Sequence, residues 1–173
     1  PLAERQRRQQ GVGAGLVGAS FAQAMKDSGL KLALVEGMAP TAPAPEWTSR
    51  VYAISPGSIE FLSESGAWQQ FDAARIAPVL GMHIYGDDGK ATLDFDAHQS
   101  GLAELAVIAE VRHMQYGLWQ ALQRQENLEL FCPARCASLR LQEEIAVLRL
   151  EDGRELHAPL IVGADGRESW VRS

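Results

Sequence analysis

The stretch GVGAGLVGASFAQAMKDSGLKLALVE, residues 11–36, decides the fold. Within it, Gly13-Ala14-Gly15-Leu16-Val17-Gly18 has the G-x-G-x-x-G spacing. Over residues 16–28, apolar side chains at Leu16, Val17, Phe21, Ala24 and Met25 keep a helical period, and Gly29 stands where such a helix would end. Leu30-Lys31-Leu32-Ala33-Leu34-Val35-Glu36 is a short apolar run between Gly29 and Gly37, the pattern of a strand buried in a parallel sheet. Helix followed by strand is half of a crossover unit. Each glycine then has a physical reason to be there. Gly13 permits a tight turn, Gly15 lets a pyrophosphate approach the backbone, and Gly18 lets the helix press against its strand. The helix start offers unpaired N–H groups and a partial positive charge to phosphates. Glu36 closes the strand 18 residues after Gly18, about where an acidic side chain accepts hydrogen bonds from a ribose. Together these features predict dinucleotide binding, against the plainer alternative of a glycine-rich turn with a surface Glu.

The same pattern calls for an apolar strand immediately before Gly13, and here the sequence resists. Residues 7–12 read Arg-Arg-Gln-Gln-Gly-Val, in which only Val12 suits a central strand. Burying the others unpaired would cost on the order of several kcal/mol each. The expectation is therefore that this strand is missing or lies outside the sheet, and that residues 1–10 form a polar leader. The chain opens on Pro1 and stops within the segment Ser169-Trp170-Val171-Arg172-Ser173, which reads as a fragment of a longer protein.

Outward from the glycine loop, residues 37–49 contain Pro40, Pro43 and Pro45 and read as a connecting loop. Ser55-Pro56 opens a predicted helix through about Ser65, with proline at the first helical position. From 76 to 111 the pattern turns to β-like runs at Pro78–Tyr85, Ala91–Phe95 and Leu105–Val111, separated by residues 86–89 and by the polar stretch His98–Gly101; this predicts an antiparallel insertion. Val111, Met114, Leu118 and Leu122 share one face of a helix ending near Asn127. Strands follow at 129–131, 138–142 and 145–150, and Asp152-Gly153 joins the last of these to residues 155–162 as a hairpin. The fold class is α/β, a Rossmann-like parallel sheet with an antiparallel β insertion, incomplete.

Composition excludes other classes. The 173 residues are 46% hydrophobic and 22% charged, ordinary for one globular domain. A net charge of −6 removes the broad attraction that draws proteins onto phosphate backbones, so nucleic acid is not an expected partner. Cys132 and Cys136 have no second Cys or His pair at ligand spacing, so they are read as packing residues, with no metal. No apolar run approaches the roughly 18 residues needed to cross a bilayer, and no leader pattern is present, so the expected compartment is the cytoplasm. His83, His98, His113 and His157 are scattered without an evident carboxylate partner. Asp94 and Asp96 read as a solvated strand face.

A second constellation closes the chain. Leu160-Ile161-Val162 is a buried-strand run leading into Gly163-Ala164-Asp165-Gly166-Arg167, with Ser169, Val171 and Arg172 after it. Such a strand end suits close approach of a second ligand segment; the bland reading is an Asp-Gly turn. Taken with the glycine loop, Glu36, Arg50-Val-Tyr-Ala-Ile-Ser-Pro-Gly-Ser and the Gly66-Ala67-Trp68 turn, it resembles the FAD-dependent aromatic monooxygenases of the para-hydroxybenzoate hydroxylase fold, most closely the ubiquinone-biosynthesis hydroxylase branch. The likeness runs from about Gly11 to Ser173.

The resemblance implies that Gly13, Gly15, Gly18 and Glu36 hold the ADP half of FAD. It implies that Arg50 reaches the cofactor, that Asp165 and Gly166 match a motif associated with FAD and NAD(P)H, and that Arg112 stands near the flavin at the start of the helix after Val111. The family's later Gly-Asp motif, and most of its substrate wall, are not in these 173 residues. The implied parent uses FAD, NAD(P)H and O2 to hydroxylate a phenol ring on a polyprenyl tail, with peripheral contact to a membrane or a biosynthetic complex left open. No nucleophile–base pair is evident, as expected where the flavin carries the chemistry. Two rivals stand beside it: a non-catalytic nucleotide-binding remnant, and an NAD-dependent reductase, which would need neither the Arg50 segment nor the Asp-Gly motif.

Overall fold

The computed structural model describes residues 8–87 and 90–172, with the backbone alone for residues 8–11. Twelve strands and three α-helices are present among them. A parallel sheet carries the architecture, in the order β12 (Leu160–Gly163), β1 (Arg8–Val12), β2 (Lys31–Val35), β8 (Leu128–Phe131). β2 is buried on both faces. Leu34 packs with helices α1 (Leu16–Ala24) and α3 (Val111–Leu122), while Ala33 and Val35 face a second sheet, β9 (Cys136–Leu141), β10 (Ala146–Leu150) and β11 (Glu155–Ala158). The result is helices, parallel sheet and antiparallel sheet in three layers, which accounts for the unbroken apolar run in β2.

β1 overturns the expectation for the residues before Gly13. It lies inside the sheet, paired in parallel with β2 from Arg8↔Lys31 to Val12↔Val35, and with β12 from Gln9↔Leu160 to Val12↔Gly163. A parallel ladder is made by backbone N–H and C=O groups, which polar residues supply as well as apolar ones. Residues 8–10 therefore belong to the domain, and residues 1–7 of the predicted leader lie outside the described residues.

The antiparallel region is a three-stranded sheet, β3 (Val51–Ile54), β7 (Ala106–Glu110) and β4 (Ile76–Val79), and a two-stranded ribbon, β5 (Gly81–Tyr85) with β6 (Thr92–Asp96). The run predicted as one strand over 78–85 breaks at Leu80, and β3 has no counterpart among the predicted elements. Asp88 and Gly89, part of the predicted turn, lie outside the described residues. Helix α2 (Pro56–Glu64) starts as expected, with the Ser55 hydroxyl accepting from Ser58 N at 3.3 Å. α1 and α3 both end earlier than their apolar periods suggest. After α1 the Ser28 hydroxyl donates to the Met25 carbonyl at 2.6 Å, turning the chain toward Gly29 at φ +73°. After α3 the Gln125 and Asn127 amides tie back to α1 and the following turn, donating to the Ala22 and Met25 carbonyls. The predicted 155–162 strand is two elements separated by Pro159: β11 closes the hairpin with β10, and β12 crosses to the parallel sheet. Three histidines do have carboxylate neighbours: His83 beside Asp94, His113 beside Glu110 and His157 beside Glu155. Sequence separation hid the first, a cross-strand pair of β5 and β6.

Candidate cofactor site

Three strand ends converge at the carboxyl edge of the parallel sheet, the edge where ligands bind in open α/β folds. Gly13 N donates to Val35 O at 2.9 Å and Ala164 N to Val12 O at 2.8 Å, so β1, β2 and β12 deliver the glycine loop, Glu36 and the Asp165-Gly166 turn side by side. A cleft of about 450 Å3 opens between them, within the size range of small-molecule sites. It is lined by Gly13, Gly15, Glu36, Asp165 and Gly166 among others, five of the eight residues proposed from sequence.

Gly18 lies beneath the cleft rather than on its surface. A Cβ there would sit 2.0 Å from the Gly13 carbonyl oxygen and 3.0 Å from the Ala164 Cβ, so the glycine is what lets α1 press onto the loop. Gly13 adopts φ +95°, and a Cβ on it would lie 2.6 Å from the Ala164 carbonyl oxygen. Gly15 is different. Its backbone is ordinary for any residue, at φ −64° and ψ 179°, and a Cβ would meet nothing within 4 Å. The protein itself therefore does not require glycine at 15. The space over this backbone is open to a ligand.

Gly15 is the N-cap of α1 and supplies no side-chain cap, and the first turn contains no acidic residue. The amide N–H groups of that turn are thus available to an anion. Glu36 closes the other side of the loop. Its Oε2 accepts from Ala14 N at 2.7 Å and its Oε1 from Met38 N at 3.1 Å, which aims the carboxylate at the glycine loop and leaves lone pairs for a hydroxyl ligand. Phosphate acceptance at the helix start beside a hydroxyl-accepting carboxylate is the donor and acceptor set that the ADP half of FAD requires. The residues present fit the group.

Asp165 is committed within its own turn. Oδ1 accepts from the Ser169 hydroxyl at 2.6 Å, and Oδ2 from the N–H groups of Trp170 at 2.7 Å and Val171 at 3.2 Å. Partial burial would raise its pKa, but these donors outweigh burial and hold the carboxyl below the ordinary range. The side chain thus shapes the turn, and Gly166, at φ +89°, continues it along the cleft.

Arg50 and Arg112 are exposed and do not line the cleft. They lie close together in the fold: Val111 N donates to Arg50 O at 3.1 Å, where β3 meets the start of α3. Sequence reasoning missed Gln115, Arg135, Cys136 and Trp170, all of which line the cleft. Gln115 lies three residues after Arg112 on the same helix, a spacing that signalled it. Arg135, Cys136 and Trp170 carried no such signal. Burial, with Asp165 and Glu151 nearby, pushes the Cys136 thiol up, and burial with Glu36 nearby does the same to Cys132. Among the described residues no group of three or more His, Cys, Asp or Glu gathers to hold a metal, and no helix is long and apolar enough to cross a membrane.

Comparison with known proteins gives the family and the fold. The chain is 33% identical over 174 aligned residues to a ubiquinone biosynthesis monooxygenase COQ6 of Drosophila melanogaster, covering 92% of this chain and 36% of that protein. It is 30% identical to the 3-demethoxyubiquinol 3-hydroxylase of Escherichia coli, covering 93% of this chain and 41% of that one. The chain thus spans well under half the length of the curated relatives it matches. In fold it is similar to p-nitrophenol 4-monooxygenase PnpA from Pseudomonas putida, with a TM-score of 0.75 at 18% identity over 95% of this chain and 42% of that one. A family model described as FAD binding domain matches residues 12–173. A match that begins at the last residue of β1 and takes in every element after it leaves one assignment: the chain belongs to the FAD-binding domain family.

Proposed function

We propose that this chain is the nucleotide-gripping part of an FAD-dependent hydroxylase that uses NAD(P)H and O2 on a polyprenyl phenol or quinone precursor of ubiquinone. The observation that carries the reading is the open space over Gly15, bounded by an uncapped helix start on one side and the Glu36 carboxylate on the other. The names of the curated relatives support the substrate class. FAD, when bound, supplies the redox chemistry, passing electrons from a reduced nicotinamide to oxygen.

The chain's own residues bind and orient. The N–H groups at the start of α1 take the pyrophosphate, and Glu36 takes a ribose hydroxyl. Gly13 and Gly18 keep the loop low enough for both contacts. Asp165 and Gly166 form the wall beside the loop, while Arg50, Arg112 and Gln115 face the flavin end. A substrate with a long apolar tail resides in a membrane, so the reading locates the parent protein in the cytoplasm with peripheral membrane contact.

The test is to add FAD to the purified chain, desalt it, and record the flavin band near 450 nm and its fluorescence. Retained, quenched flavin at one equivalent is expected. A folded circular-dichroism spectrum with no retained flavin overturns the reading for this chain and favours the non-catalytic remnant. For the whole protein, NAD(P)H oxidation that leaves the polyprenyl phenol unmodified would overturn the hydroxylase reading.

A further inference from the structure

Glu110 is the most deeply buried charge among the described residues, at 1% exposure, and nothing in the cofactor site as described uses it. It is the last residue of β7 and the N-cap of α3, yet its side chain makes no capping hydrogen bond to that helix. It is turned instead toward the proline-rich loop. Oε1 accepts from both the N–H and the hydroxyl of Thr48, each at 2.8 Å, and Oε2 accepts from Arg75 Nη1 at 3.1 Å. His113 Nε2 lies 3.8 Å from Oε2. Arg75 completes the bracket: its other arm donates to the Pro45 carbonyl, and its guanidinium lies 4.3 Å from the centre of the Trp47 ring.

These contacts gather residues 45–48, in a segment with no regular structure, onto the junction of β7 and α3. Two residues further on stands Arg50, whose carbonyl accepts from Val111 N; Val51 is then paired with Glu110 across β3 and β7. On the helix side the same junction sets the start of α3, which carries Arg112 and the cleft-lining Gln115. A buried ion pair of this kind is weak evidence of stabilisation, since a well-packed apolar set is often as stable; fixing a geometry is the better-attested use. We propose that Glu110 is a positioning residue that locks the Arg50 segment and the start of α3 into one flavin-facing wall. The inference rests on the FAD reading above.

The two halves of the cofactor give a test that a merely structural role would not pass. ADP touches only the glycine-loop side, whereas FAD needs both sides. Glu110→Gln keeps the shape and removes the charge, and Thr48→Ala removes one donor while leaving the Arg75 pair intact. FAD affinity, by fluorescence quenching, is expected to fall about tenfold or more in Glu110→Gln and about threefold in Thr48→Ala. ADP affinity, by calorimetry, is expected to stay within twofold of the unsubstituted chain. Equal losses for ADP and FAD, or no loss for either, overturn the positioning role and leave the FAD reading standing. An unsubstituted chain that binds ADP but not FAD overturns both. Should Glu110→Gln fail to keep its circular-dichroism spectrum, Thr48→Ala decides by the same criteria.

Discussion

Alanine at Gly15 and at Gly18 should separate binding from folding, because the two glycines are needed for different reasons. At Gly18 the added Cβ would lie 2.0 Å from the Gly13 carbonyl oxygen, a backbone atom that cannot swing aside. Overpacking of this sort costs about 1–3 kcal/mol, and the short distance argues for the upper end. Alanine recovers about 1 kcal/mol of helix propensity, leaving a net loss of roughly 2 kcal/mol. For a chain of this size that is a fall in Tm of about 4–8 °C. At Gly15 nothing lies within 4 Å of the new Cβ and the backbone is already in an ordinary region, so the cost is confined to exchanging one N-cap residue for a poorer one, about 1 kcal/mol or less. The same methyl occupies the space through which a pyrophosphate would reach the helix start. Losing one or two charge-assisted hydrogen bonds, at about 1.5–3 kcal/mol each, lowers FAD affinity by roughly 10- to 100-fold or more. Thermal melts without ligand and flavin-quenching titrations on the same samples make the comparison. The reasoning fails if Gly15→Ala binds FAD as tightly as the unsubstituted chain, or if Gly18→Ala melts at the same temperature.

Glu36→Gln should weaken FAD about tenfold with little change in Tm, since the amide keeps one acceptor for the Ala14 or Met38 N–H but loses the charge that favours a ribose hydroxyl; titration of both proteins checks it. Burial opposes ionisation of Asp165 and Glu110, yet their donors hold both carboxyls below the ordinary range, so each stabilises the fold fully above the unfolded value near 4 and loses that contribution as pH falls through the folded value. Melting temperature should therefore be flat from about pH 7 to 5 and drop below about pH 4, with Asp165→Asn showing a shallower drop; a Tm that climbs on acidification contradicts the sign. Cys136, held mainly as thiol by burial and by Asp165 and Glu151, should alkylate at pH 7.5 more slowly than in denaturant, and FAD should slow it further because the residue lines the cleft. Peptide mass mapping after timed iodoacetamide treatment reads this residue by residue, and labelling at the denatured rate would sink the idea.

What the sequence made legible was whatever side-chain pattern encodes directly. Residues 13–18 and 30–36 combine a spacing with a period, and both features have a single low-energy use in a βαβ unit, so the loop, α1 and β2 could be read without knowing any other element. Ser55-Pro56 was legible for the same reason, as a local start signal. Elements decided by distant partners were not. β3 is four residues with no alternation, and it exists because β7 offers it a ladder. Arg135, Cys136 and Trp170 reach the cleft only because β8 and β12 end at the same edge as β1, which no local pattern announces. Glu110 fell unremarked inside the predicted run Leu105–Val111, and its partners Thr48 and Arg75 are 62 and 35 residues away. The error at β1 has the opposite origin. Side-chain polarity alone misplaces this strand, because the parallel ladder is a backbone property; Val12, its last residue, is buried.

That placement has an energetic consequence for the site. The cleft is not a pocket within one element; it is the meeting of three strand ends held by the Gly13–Val35 and Ala164–Val12 backbone bonds. A ligand that contacts the glycine loop, Glu36 and the Asp165 turn together binds only when β1, β2 and β12 are aligned, so its binding free energy adds to the stability of the sheet. At a free FAD concentration 100 times Kd the added stability is about 2.7 kcal/mol, and at about 2–4 °C per kcal/mol the expected rise in Tm is roughly 5–11 °C. ADP at 100 times its own, weaker Kd should give a rise of the same size, because the linkage depends on the ratio of concentration to Kd and not on which end of the cofactor is present. Differential scanning fluorimetry with ADP, or calorimetry with FAD, measures both. A chain that binds either ligand by titration without this rise would show that the sheet is equally able to bind when β1 is detached, and the three-strand account of the site would be wrong.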